Sequence, residues 1–312
     1  MWGAVVFLCA LAAGISAAEI VEATPQVSQN GPSAGARIVS GWEAQEGQFP
    51  YMLWLRTVRW TGDITACGGS IIHRSWGLTS GRCTAQRIEI IVHAGSVNKF
   101  TPRAVVLVTE SFRPPGYEDI MQPLTQPNDI SVIRFSQDLT FNNYIQPIRL
   151  QPSSERDRDY SGVLMSTSGW GTTFTCTELN CPTPDILNWT HLVGVSNFIC
   201  LLLFNSNYLV RPTTVCAGSY NVTTQSICSG DSGVPLTTVD QDGVPTQIGI
   251  GSFVISWGCE VGFPGGFTRV GYYQDWITEV TGISFDWSPA ATVDDGVLTR
   301  DAISEDIVSK TN

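Results

Sequence analysis

An all-β fold, either a sandwich or a barrel, is what this sequence predicts. Three observations carry that expectation. Short β-branched and aliphatic runs recur, as in RIEIIVHAG (Arg87 to Gly95), AVVLVTE (Ala104 to Glu110) and QIGIGSFVISWG (Gln247 to Gly258). Turn formers punctuate them, with 30 glycines and 17 prolines in 312 residues. No alternation of strand with helix is visible, so a parallel sheet with crossover helices is not expected.

In chain order, the first segment, MWGAVVFLCALAAGISAAE, is apolar for too few residues to span a bilayer and ends in small residues. It reads as a secretory signal peptide over residues 1–18. Residues 19–37, rich in Pro, Gly, Ser and Gln without apolar periodicity, read as a flexible pro-segment. The strand-like runs then fill the chain up to QDWITEVTGI. There the apolar spacing predicts a helix near Asp275 to Ile283. Residues 284–312 carry six acidic and two basic side chains at low apolar density and read as an acidic, disordered tail.

Nine cysteines minus Cys9 in the signal leave eight, an even number that suggests four disulfides in an oxidising compartment. His73, His93 and His191 are the only histidines, and none sits at metal-ligand spacing with a cysteine pair, so no metal and no cofactor is expected. The sequons NWT at Asn188 and NVT at Asn221 fit a secreted, glycosylated surface. A formal charge of −11 argues against nucleic acid, and no membrane helix follows the signal. The mature product is expected to be a soluble extracellular monomer whose partner is protein.

Seven segments, RIVSGWEAQEGQFPY, CGGSIIHRSWGLTSGRC, NDISVIRF, SGWG, CAGS, CSGDSGVPL and SWGC…FPGGFTRV, follow one another from Arg37 to Val270. In that order and at that spacing the chain resembles the trypsin/chymotrypsin family of serine endopeptidases over about residues 38–283. The resemblance implies two packed antiparallel β-barrels with a C-terminal helix and an active site in the cleft between them. Ser232 matches the nucleophile and Asp129 the carboxylate that orients the base. The N–H groups of Gly230 and Ser232 match the oxyanion hole.

The base itself departs from the family pattern. The family has Ala-Ala-His-Cys where this chain has Ser80-Gly81-Arg82-Cys83, so Arg82 stands in the histidine's place. A guanidinium remains protonated and has no lone pair with which to take a proton. None of the three histidines is expected to face the nucleophile. Arg82 either pairs with Asp129 as a buried ion pair or swings into the cleft to meet water.

The resemblance also implies cleavage after Arg37, freeing the Ile38 ammonium to pair with Asp231 and order the oxyanion hole, as in a zymogen. Ser226, Gly258 and Gly265 match the primary specificity pocket, which would be open-mouthed and suited to large apolar side chains. It assigns the disulfides Cys67–Cys83, Cys200–Cys216 and Cys228–Cys259, and elimination leaves Cys176–Cys181. Val234, where the family has glycine, adds bulk that this loop must accommodate. The leading functional expectation is a secreted, inactive protease homologue that binds a protease, a zymogen or a polypeptide substrate. The alternatives are an active chymotrypsin-like endopeptidase and a module that uses the pocket alone.

Overall fold

The computed structural model describes residues 41–122, 124–175, 181–220, 225–255 and 258–289. The signal peptide, the pro-segment, the Arg37–Ile38 bond, Asn221 and the tail from Ala290 onward lie outside these residues. Fourteen strands occur among the described residues. They are β1 (Trp42–Glu43), β2 (Met52–Arg59), β3 (Ile64–His73), β4 (Trp76–Thr79), β5 (Arg87–Ala94), β6 (Ala104–Phe112) and β7 (Ser131–Phe135) in the first half. The second half contributes β8 (Arg149–Leu150), β9 (Leu164–Gly169), β10 (Asn188–Val195), β11 (Thr214–Ser219), β12 (Pro235–Val239), β13 (Pro245–Phe253) and β14 (Gly265–Arg269). Helices are few: α1 (Gly81–Thr84), α2 (Asn197–Phe204) and α3 (Gln274–Thr281).

The strands form two closed, six-stranded antiparallel barrels. The first runs β2-β3-β4-β7-β6-β5 and closes through the β2–β5 pairing. The second runs β10-β11-β14-β13-β12-β9 and closes through β9–β10, with β1 added beside β10 and β8 lying parallel to β13. Two-residue periodicity explains the first barrel's interior. Leu53, Leu55 and Thr57 of β2 are fully buried, as is Val92 of β5, with Ile90 and Ala94 nearly so. A larger core joins the barrels, bringing Leu78, Ile130 and Val132 of the first half together with Val234, Leu236, Ile250 and Phe267 of the second.

The predicted helix is α3. Ile277 is fully buried, and Gly282 ends the helix at φ +71°, its N–H bonded to the Thr278 carbonyl at 2.9 Å. Three disulfides follow the expected pairing, Cys67–Cys83, Cys200–Cys216 and Cys228–Cys259. Cys176 of the fourth predicted pair lies outside the described residues.

Three expectations need correction. The domain extends past Ile283: Phe285 packs on the core, the Trp287 indole N–H donates to the Leu150 carbonyl at 2.8 Å, and the Arg149 guanidinium lies 3.9 Å from the Trp287 ring centre. The run that begins at Gln247 leaves the sheet at Phe253 rather than continuing to Gly258. Asn188 is no surface sequon. It sits fully buried in β10 with its amide donating to the Ile186 carbonyl, so the folded barrel has no room for a glycan there.

Candidate active site

The sequence-predicted residues converge on the cleft between the barrels from three elements. Asp129 precedes β7 and is 1% exposed. Arg82 lies in α1, whose next residue, Cys83, is tied to β3 through Cys67. Ser232 lies in the turn between Cys228 and β12, and its carbonyl accepts from the Gly68 N–H at 2.8 Å, bridging the two barrels.

Asp129 is held by four donors. Its Oδ1 accepts from the Arg82 backbone N–H at 2.9 Å, and its Oδ2 accepts from Arg82 Nε at 2.9 Å and from Ser252 Oγ at 2.7 Å. Thr268 Oγ1 donates to its backbone carbonyl at 3.0 Å. Ser252 and Thr268 come from the second barrel, so the carboxylate is a pin between the halves. Of the two arrangements open to Arg82, the structure has the ion pair. Such a pair avoids leaving a buried carboxylate uncompensated.

Asp231, one residue before Ser232, is held differently. It is fully buried, and its Oδ1 and Oδ2 accept from the backbone N–H groups of Gly171 at 2.8 Å and Cys228 at 2.9 Å. Burial pushes its carboxyl up to about 7, against the smaller lowering effect of those two bonds. The glycines around it are sterically required. A Cβ on Gly171 would fall 2.4 Å from Asp231 Cγ, and one on Gly169 would fall 2.2 Å from Asp231 Oδ1. Val234 sits in a cradle of its own. Cβ atoms on Gly68, Gly169 and Gly251 would meet its side chain at 2.5, 2.9 and 3.0 Å, which is how the loop accommodates the extra bulk.

Arg82 and Ser232 line one cavity of about 190 Å³ together with Thr125, Ser229 and Ser252. Gly230 has φ +96°, a turn conformation that glycine tolerates. Among the described residues no protein group accepts from the N–H of Gly230 or of Ser232. None of the histidines reaches this cavity. His73 Nδ1 accepts from the Ser75 N–H, His93 Nδ1 bonds the Lys99 carbonyl, and His191 Nδ1 bonds Ser166 Oγ.

Among the described residues the apolar walls of this cavity are Ile227, Phe253 and Val254, and Ser226, Gly258 and Gly265 do not line it. Gly258, at φ +130°, is required because a Cβ would fall 2.3 Å from Thr175 Oγ1, and Gly265 is backed by Ile227, whose Cγ1 would lie 3.0 Å from an added Cβ. The wall follows the Ser252–Asp129 bond, which fixes the end of β13 beside the cleft and puts Phe253 and Val254 next in line. Serine followed by a large apolar residue at a strand end was the only available signal.

A family model described as Trypsin matches residues 38–277. The chain belongs to the trypsin family. It is similar to a collagenase of Hypoderma lineatum, 33% identical over 253 residues that cover 80% of this chain and 89% of that one. It is also similar to serine protease 1 of Drosophila melanogaster, 31% identical over 257 residues covering 80% and 87%. A solved structure of HL collagenase, 32% identical, covers 79% of this chain and all of its own length, with a TM-score of 0.69. No helix among the described residues is long and apolar enough to cross a membrane.

Proposed function

We propose that this trypsin-family chain is a secreted protease homologue that has lost turnover and acts by binding a protease, a zymogen or a polypeptide. The observation that carries the reading is the Arg82 Nε–Asp129 Oδ2 pair at 2.9 Å. In a serine protease the buried carboxylate orients an imidazole, which takes the nucleophile's proton. Here the carboxylate is engaged by a cation that has no lone pair to offer Ser232. Loss of the base lowers turnover by roughly 10⁶-fold in a protease of this chemistry.

Secretion rests on the signal-like residues 1–18 and agrees with the three disulfides. Cleavage after Arg37 is part of the reading, with the new Ile38 ammonium reaching Asp231, whose carboxyl among the described residues accepts from two backbone N–H groups.

The names of the relatives, a collagenase and a serine protease, favour a second reading in which this chain is itself a serine endopeptidase. It requires a base from elsewhere, such as a histidine of the substrate. The cavity's Ile227 and Val254 walls also shift its preference from large apolar residues toward small ones. The test is turnover of Ala-, Val-, Phe- and Arg-ended chromogenic peptides by the protein cleaved after Arg37, beside a Ser232→Ala control. The binding reading expects equal rates in both. Activity that vanishes in the control supports the endopeptidase.

A further inference from the structure

Away from the Ser232 cleft, the second barrel carries a block of aromatic rings on the solvent side of β10. Trp42 of β1 pairs with Trp189 of β10, and their ring centres lie 5.1 Å apart. His191 follows two residues on along β10, hence on the same face of the sheet. Its ring centre is 5.0 Å from that of Trp189 and 6.1 Å from those of Trp42 and Tyr220. Trp189 and Phe49 pack against the core and give the block a fixed base. Trp42 and Tyr220 are left 43% and 47% exposed. Each is set steeply against the imidazole, at 66° and 76°, so two exposed rings border one that is half-buried. None of these residues lines the Ser232 cavity.

Exposed rings of this kind hold flat apolar groups by stacking, while indole N–H and phenol O–H edges donate hydrogen bonds. The matching ligand has apolar rings and carbonyl acceptors that its own conformation leaves free. A polyproline II segment has both, with no internal hydrogen bonds and a preformed backbone that loses little entropy on docking. Its pyrrolidine rings return to the same side about every 9 Å, and the two ring-to-ring steps from Trp42 through His191 to Tyr220 are long enough to cover one such turn. An oligosaccharide also stacks on rings, but its hydroxyls need acceptors, and an indole has none. Charge narrows the choice further. The sequence carries a formal charge of −11, and aromatic faces attract cations, so lysine or arginine beside the prolines is favoured over an acidic residue. We propose that this face is a docking site for a proline-rich, basic polypeptide segment, one pyrrolidine ring seating over His191 between Trp42 and Tyr220. This rests on the binding reading above and gives the polypeptide partner a seat away from the cleft.

The experiment is calorimetric titration of the full chain with a blocked nonapeptide of repeating Pro-Pro-Arg and with the same peptide carrying alanine for every proline. The two have equal charge, so their difference reports the proline backbone. The proline peptide is expected to bind at least about tenfold more tightly. Trp42→Ala and Tyr220→Ala should each remove most of that difference. Trp42→Phe, which keeps a ring, should retain part of it and covers the case in which the alanine variant fails to fold. Glutamate in place of each arginine of the peptide should weaken binding, most at low salt. Equal binding of the two peptides, no binding of either at millimolar peptide, or binding that survives both alanine substitutions overturns the proposal while leaving the loss of turnover intact. Binding of cellotetraose that Trp42→Ala abolishes, with the proline peptide silent, overturns it in favour of carbohydrate. Ser232-dependent turnover of chromogenic peptides would instead sink the underlying reading of an inactive cleft.

Discussion

Two buried carboxylates flank the cleft, and they are held by opposite means. Asp129 is held by charge: a guanidinium and a hydroxyl converge on one oxygen and a backbone N–H on the other. Asp231 is held by shape: two backbone N–H groups and a wall of glycines surround it, and no side-chain cation among the described residues reaches it. The physical consequence is a raised carboxyl, for burial without a counter-charge among the described residues pushes Asp231 up to about 7. The contrast teaches how differently the two carboxylates are compensated. On the Asp129 side a cation saturates the carboxylate. On the Asp231 side the shell is intact and, on the proposed reading, awaits the ammonium released at Ile38.

The largest structural effect should come from removing the cation. Arg82→Ala leaves Asp129 at 1% exposure with only the Ser252 hydroxyl and backbone donors, and should destabilise the protein by about 3–5 kcal/mol. Arg82 is partly exposed, at 18%, which places the expectation toward the lower end. Chemical denaturation of the variant beside Arg82→Ala/Asp129→Asn measures it, the double variant recovering part of the loss. Equal stability of Arg82→Ala and wild type would show that water compensates the carboxylate.

The shape-held side should break through sterics. Gly171→Ala puts a methyl group 2.4 Å from the Asp231 carboxyl carbon, and should cost about 1–3 kcal/mol by forcing Asp231 and its loop to move. A thermal shift of zero would mean that the cradle is looser than the distances imply.

The smallest effect is a slope. With Asp231 raised to about 7 in the folded state and near 4 when unfolded, the native state binds the extra proton between those values. Its contribution to stability is fully present below about pH 4 and is lost as pH rises through about 7. The uncleaved chain should therefore show a falling contribution to melting temperature from pH 4 to pH 7 that Asp231→Asn removes. Cleavage after Arg37 should flatten the same slope if Ile38 supplies the counter-charge. A slope unchanged by both treatments would assign the pH dependence to other groups.

Much of this contrast was readable from residues alone. The strand runs at β5 and β6 follow from their β-branched and aliphatic composition, and the helix α3 from its apolar spacing. The Arg82–Asp129 pair was one of two arrangements that position and charge left open, and the structure decides between them. Helix α2 escaped because NFICLLLF is apolar all round and carries no helical period. The cavity walls escaped because they depend on where β13 leaves the sheet, a tertiary event fixed by the Ser252–Asp129 bond. Asn188 misled because a sequon records three side chains and not their burial. The Val234 cradle needed three glycines more than 60 residues apart in the chain or drawn from different strands, which only folding brings together.

The central claim is that Arg82 silences a cleft whose other parts remain. It is tested most directly by Arg82→His, cleaved after Arg37, verified as folded by its thermal transition, and assayed on peptides ending in Ala, Val, Leu, Phe and Tyr. A histidine there meets Asp129 behind it and the Ser232 cavity in front. The account predicts Ser232-dependent cleavage that is absent from wild type, favouring the small residues that Ile227 and Val254 admit. The gain should be several orders of magnitude but short of the roughly 10⁶-fold ceiling, because orientation must also be regained. A well-folded Arg82→His protein that stays silent, or a wild-type protein that already cleaves through Ser232, would contradict it.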